Sequence, residues 1–116
     1  MSEAEEAQLL FFIGEGAGNS IELSNRCSAL EGRLPSPAQH IRTMRMLYEI
    51  DKKGLIYGHT ALDNVRNKIY FQLALTKKGA RRLYRYTHRF WLISAFWEEC
   101  KAMAAGAKAH LSQQHH

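Results

Sequence analysis

The chain has 116 residues, a formal net charge of +5 at pH 7, 46% hydrophobic residues and 23% charged residues. That length holds one domain with a real core but not a binding module plus a separate catalytic domain, and the composition excludes a disordered or fibrous chain. The longest apolar runs, such as residues 9–13 and 90–93, fall far short of the roughly 18 residues that cross a bilayer, and acids at Glu3, Glu5 and Glu6 do not suit a secretory leader. A cytoplasmic protein is expected. Cys27 and Cys100 lie far apart without a CxxC or Cys/His ligand spacing, which predicts reduced thiols, no metal site and no cofactor.

Residues 3–15 predict a first helix, acidic where the helix dipole is positive, apolar at Leu9, Leu10, Phe12 and Ile13, and stopped by Gly14, Gly16 and Gly18. Asn19 or Ser20 can cap a second helix to about Leu30, with Ile21, Leu23, Cys27 and Leu30 as apolar positions. Ser36-Pro37-Ala38-Gln39 places a capping serine, a proline at the first helical position and a glutamine at the third, the pattern of a capping box. A third helix is therefore predicted over residues 37–53, ending where Gly54 accepts a left-handed cap. Residues 55–60 and 68–75 are β-rich, the second run alternating Ile69, Phe71, Leu73 and Leu75 with Tyr70, Gln72 and Ala74. Between them, residues 61–67 form a long hairpin loop. Thr76 can cap a last helix from Lys77, with Leu83, Tyr86, Phe90, Ile93, Trp97, Cys100, Ala104, Ala107 and Leu111 at spacings of three and four.

Charge is concentrated in the middle. Residues 33–89 hold thirteen Lys or Arg against three acids, Glu49, Asp51 and Asp63. A basic middle favours a polyanionic partner, because each cation placed on a phosphate releases condensed counterions.

Three helices, a two-stranded hairpin and a long final helix match the winged helix-turn-helix, in which the third helix enters the major groove of DNA. The passage Asp51-Lys52-Lys53-Gly54-Leu55-Ile56 resembles the exit from recognition helix to wing in MarR-like and PadR-like regulators, and Leu75-Thr76-Lys77-Lys78-Gly79-Ala80-Arg81-Arg82-Leu83 resembles their exit from the wing. The resemblance covers roughly residues 20–90. It implies a mainly α fold with a small β-hairpin: a winged domain over residues 1–76 with its wing at about 55–75, a dimerisation helix over 77–111, and a frayed tail over 112–116. It further implies a homodimeric, nucleoid-associated regulator of transcription, expected to be a repressor.

On the third helix, Met44, Leu47 and Ile50 are expected to face inward, and Gln39, Arg42 and Arg45 to read bases, glutamine suiting adenine and arginine guanine. Ser36, His40, Thr43, Arg66, Lys68, Lys77, Lys78 and Arg81 are expected to touch the backbone or the adjacent minor groove. Cations at the start of a helix oppose its dipole unless a phosphate or an acid offsets them, so at least one of those in the last helix is expected to pair with the acidic first helix. The dimer interface is assigned to Leu83, Tyr86, Phe90, Ile93, Trp97 and Cys100. Trp91 and Trp97 could also stack on a small aromatic effector.

Catalysis is not expected: the sequence has no HExxH, Gly-rich phosphate loop or GxSxG, and Glu98 and Glu99 face different directions on a helix. Alternatives to a regulator are a winged-helix accessory for plasmid or phage partition or replication, and a winged-helix module that binds protein.

Overall fold

The computed structural model describes residues 1–89 and residue 102. The first helix, α1 (Glu3–Gly14), begins with a reciprocal cap: the Ser2 hydroxyl accepts the Glu5 backbone N–H at 3.1 Å, and the Glu5 carboxylate accepts the Ser2 backbone N–H at 3.3 Å. Ala7 and Leu9 to Ile13 are all buried, so α1 is apolar around most of its girth and must be surrounded by other elements. It packs against α2 (Ser20–Leu30), α4 (Lys77–Arg89) and the second strand of the hairpin.

Asn19, not Ser20, caps α2, accepting the Glu22 N–H at 2.8 Å. Ser20 is buried in the first turn, and its hydroxyl accepts the Tyr70 N–H at 3.0 Å and hydrogen-bonds His40 Nε2 at 3.1 Å. One side chain thus joins α2, the hairpin and α3 (Pro37–Lys52). Leu23 and Cys27 enter the core, whereas Ile21 turns outward at 46% exposure.

Ser36 caps α3 as expected, accepting the Gln39 N–H at 3.2 Å. The return half of the capping box does not form; the Gln39 side chain donates forward to Thr43 Oγ1 at 3.3 Å. Met44, Leu47 and Ile50 face inward, joined by Thr43 and Met46. Beyond α3, Gly54 has φ +73°, its N–H donates to Asp51 O at 2.9 Å, and the Leu55 N–H donates to Ile50 O at 3.0 Å. This pair of bonds is a Schellman cap, sealed by contact between the fully buried Ile50 and Leu55.

The hairpin pairs β1 (Ile56–Leu62) with β2 (Lys68–Leu75) in antiparallel register, from Ile56 opposite Leu75 to Leu62 opposite Lys68. At its tip Asp63 Oδ1 accepts the N–H groups of Val65 and Asn67 at 2.9 and 2.8 Å. The simple alternation expected for β2 is broken: Gln72 has φ +52°, and the register shifts by one residue where it sits. The bulge resets which side faces inward, so Tyr70 and Leu73 are buried while Phe71 is only half-buried. It also frees the Leu73 N–H to donate to Gly18 O at 3.0 Å, tying the hairpin to the α1–α2 connection.

Two contacts fix α4. Thr76 Oγ1 accepts the Gly79 N–H at 3.0 Å and donates to Gly54 O at 2.7 Å, while the Thr76 N–H donates to Leu55 O at 3.1 Å. Gly79 then lies so close to Leu55 that a Cβ there would stand 1.9 Å from the Leu55 carbonyl oxygen. The second contact is electrostatic. The nearly fully buried Glu6 carboxylate receives Lys53 Nζ at 2.8 Å, Arg82 Nη1 at 3.1 Å and the Tyr86 hydroxyl at 2.8 Å. Burial raises its pKa, but the hydrogen bonds from Lys53 and Tyr86 and the charges of Lys53 and Arg82 prevail and hold it below the ordinary glutamate value.

Among the described residues no helix is long and apolar enough to cross a membrane.

Two outcomes follow from these contacts. Gly79→Ala is expected to lower the free energy of unfolding by about 3 kcal/mol or more in urea titrations, because a backbone carbonyl cannot step aside as a side chain can. Because folding depresses the Glu6 pKa, the unfolded chain binds more protons in acid, so Glu6 stabilises the fold at neutral pH, and that contribution is lost progressively as the pH falls below about 5. Melting temperatures measured between about pH 7 and pH 3 should therefore fall more steeply for the native chain than for Glu6→Gln, which starts lower at neutral pH.

Candidate nucleic-acid interface

A helix turns 100° per residue, so the buried set Thr43, Met44, Met46, Leu47 and Ile50 defines an opposite face carrying Ala38, Ile41, Arg45, Tyr48, Glu49 and Lys52. All six are exposed, Ile41 at 55% and Tyr48 at 38%. Arg45 thus stands at the centre of the outward surface of α3, where a base-reading side chain was expected.

The other two expected base readers lie elsewhere. Arg42 sits on the shoulder of α3 nearest α1, and its Nη2 donates to Glu5 Oε2 at 2.8 Å. This guanidinium is the main reason that the Glu5 carboxyl lies below its ordinary value. Gln39 is half-buried beside Arg42 in a shallow depression with Glu5, Leu9 and Met46, its amide committed to Thr43. Thr43 is fully buried, so the expected backbone contact is corrected to a core position. His40 is half-buried and bound to Ser20, and the Ser36 hydroxyl is held by its own cap.

The hairpin stands beside α3. Lys68 Nζ lies 5.4 Å from the centre of the Tyr48 ring, a cation–π contact, and the Tyr48 ring meets Tyr70 edge-on with centroids 5.4 Å apart. The Tyr70 hydroxyl donates to Asp51 Oδ2 at 2.7 Å; burial first, then this bond, pushes its pKa up. Arg66 is exposed at the hairpin tip with φ +62°, a conformation set by the Asp63 turn around it. Between α2, α3 and the hairpin lies an open groove of about 540 Å³, lined by Ile21, Pro37, His40, Ile41, Met44, Arg45, Tyr48 and Lys68 among others.

On α4, Lys77 and Arg81 are exposed, whereas Lys78 Nζ donates to the Lys53 carbonyl at 2.8 Å and so satisfies the end of α3. Arg82 supplies the expected pairing with the acidic first helix. Of the residues expected at a dimer interface, Tyr86 is corrected to the core, 5% exposed with its hydroxyl on Glu6, while Leu83 is half-buried and packs against the main cluster. Phe90, Trp91, Ile93, Trp97 and Cys100 lie outside the described residues. Among the described residues no three His, Cys, Asp or Glu side chains gather where they could hold a metal ion.

Ile41, Tyr48 and Lys52 were missed because only Gln39, Arg42 and Arg45 of α3 were expected to read bases. The signal that finds them is angular, since each lies within a quarter turn of the direction opposite the buried centre.

No protein-family model matches the sequence, and no curated protein matches it significantly. Among solved structures, the chain is similar to a PadR-like transcriptional regulator from Bacillus cereus, with a TM-score of 0.60 and 19% identity over 82% of this chain and 88% of that one. It is also similar to hsRosR-S4, solved as a complex, with a TM-score of 0.58 and 21% identity over 93% and 90% of the two chains. With three helices, an antiparallel hairpin and a helix after it in the same order, the chain has the winged helix-turn-helix fold of PadR-like regulators, α3 being its third helix and β1–β2 its wing.

Proposed function

We propose that the chain is a sequence-specific double-stranded DNA-binding regulator of transcription, a repressor acting as a homodimer. In this reading α3 enters the major groove and the wing lies on the backbone or adjacent minor groove. The observation that carries it is the free outer face of α3, centred on Arg45, with Lys68 of the wing beside it and Arg66 exposed at the wing tip. Arginine on such a face can pair with guanine through two hydrogen bonds, and wing cations suit phosphates. Glu5 and Glu6 of α1 are spent on Arg42, Lys53 and Arg82. Arg45, Lys52, Arg66, Lys77 and Arg81 have no such partner among the described residues and are exposed.

The dimer is proposed from the sequence after Arg89, where Phe90, Ile93, Trp97 and Cys100 continue the spacing of three and four. A two-fold pair would present two copies of α3 to successive major grooves, about 34 Å apart. Similarity to a transcriptional regulator supports the same reading.

Arg45→Ala is expected to weaken binding to a selected duplex by roughly ten- to a hundredfold while leaving binding to random DNA little changed. Arg42→Ala should chiefly lower thermal stability, with a much smaller loss of affinity. Lys77→Ala and Arg81→Ala should weaken binding to all sequences and reduce the slope of log affinity against log salt by about one each. Titrations at several salt concentrations check all four variants. Equal affinity of Arg45→Ala and the native chain would remove α3 as the reader. Binding to arrays of repeats would favour a partition role, and no salt-dependent binding would leave a protein-binding module.

A further inference from the structure

The base edges of a major groove offer hydrogen-bond acceptors, hydrogen-bond donors and one apolar group, the thymine methyl. The outer face of α3 is unusually apolar for a surface that must meet such edges. Ile41 is 55% exposed, Ile21 projects from the first turn of α2 at 46%, and Tyr48 is exposed two turns further along α3 at 38%. All three line the groove between α2, α3 and the wing. Isoleucine can make no hydrogen bond to a base, and burying it against a polar edge would leave that edge unpaired. The imidazole of His40, the other polar ring there, is already held by Ser20.

We propose that this face recognises thymine methyl groups: Ile21, Ile41 and Tyr48 form an apolar strip that packs on the C5-methyls of an A·T-rich half-site, beside one guanine read by Arg45. The assignment rests on the DNA-binding reading above. Ile41 and Tyr48 are seven residues apart, about 10 Å along the helix at 1.5 Å per residue, which spans about three base steps at 3.4 Å each. Arg45 lies between them, so the guanine falls inside the thymine run. The flanks are cationic, with Lys52 on α3 and Lys68 on the wing. The nearest acid in the groove, Asp63, has Oδ1 occupied by two backbone N–H groups of its own turn. This charge suits phosphates on either side of the strip and opposes a second copy of the same face.

The test begins with selection of bound duplexes from a random pool by the full chain. Affinity is then measured for the selected duplex and for the same duplex with deoxyuridine at each thymine, which removes the methyl and keeps the pairing. The native chain should bind roughly three- to tenfold more weakly for each contacted methyl removed. Ile41→Ala, folded because Ile41 is exposed, should lose a similar factor on the thymine duplex and become indifferent to deoxyuridine at one position. Tight selective binding that ignores deoxyuridine would overturn methyl recognition and leave the DNA-binding reading standing. Failure to select any duplex would overturn both. A change in the sedimentation coefficient of free Ile41→Ala, with its DNA affinity unchanged, would also overturn the proposal, by assigning the strip to a second copy.

Discussion

The closeness of α4 to the end of α3 is the constraint on which the rest of the fold depends. Only a residue without a side chain can sit where Gly79 sits, over the Leu55 carbonyl. Leu55 is also the last residue of the Schellman cap that ends α3 and lies immediately before β1. Thr76 closes the arrangement by capping α4 with one lone pair while donating its proton to Gly54. The end of α3, both ends of the hairpin and the start of α4 are thereby fixed within a few residues of one another. The angle at which the wing stands beside α3 follows from this junction, and so does the side of α4 that meets α1.

Glu6 does from below what Gly79 does from above. A carboxylate so well buried would be costly if left alone, and it is satisfied by groups from two other elements, Lys53 at the end of α3 and Arg82 and Tyr86 on α4. The same pairing sorts the charges of the molecule. Glu5 and Glu6 neutralise Arg42, Lys53 and Arg82, while Arg45 and Lys52 on the outer face of α3, Arg66 and Lys68 on the wing and Lys77 and Arg81 on α4 are exposed with no acid partner among the described residues. A formal excess of +5 spread evenly would do little to orient a polyanion. Unpaired cations grouped on α3 and the wing can.

Much of this was legible in the sequence because its signals are local. Ser36 before Pro37, Gly54 after two lysines, and Thr76 three residues before Gly79 each act through the backbone within one turn, and each stands where it was expected. What was not legible depends on long-range contacts. The bulge at Gln72 arises where β2 reaches across to Gly18, and it inverts the inside and outside of half a strand. Arg42 looked like a base reader until α1 brought Glu5 to it, and Tyr86 looked like an interface residue until Glu6 claimed its hydroxyl. Ile41 drew no expectation from the sequence, yet lies exposed on the side of α3 turned away from the core.

The central claim is that the outer face of α3, rotated away from α1, is the surface that meets DNA. Isoleucine methyl groups report on it directly, because Ile21 and Ile41 are exposed on that face while Ile13 and Ile50 are buried in the core. Methyl resonances recorded during titration with a selected duplex should shift for Ile21 and Ile41 and stay in place for Ile13 and Ile50. Saturating binding that leaves Ile41 unmoved would contradict the account and place the contact surface elsewhere on the fold.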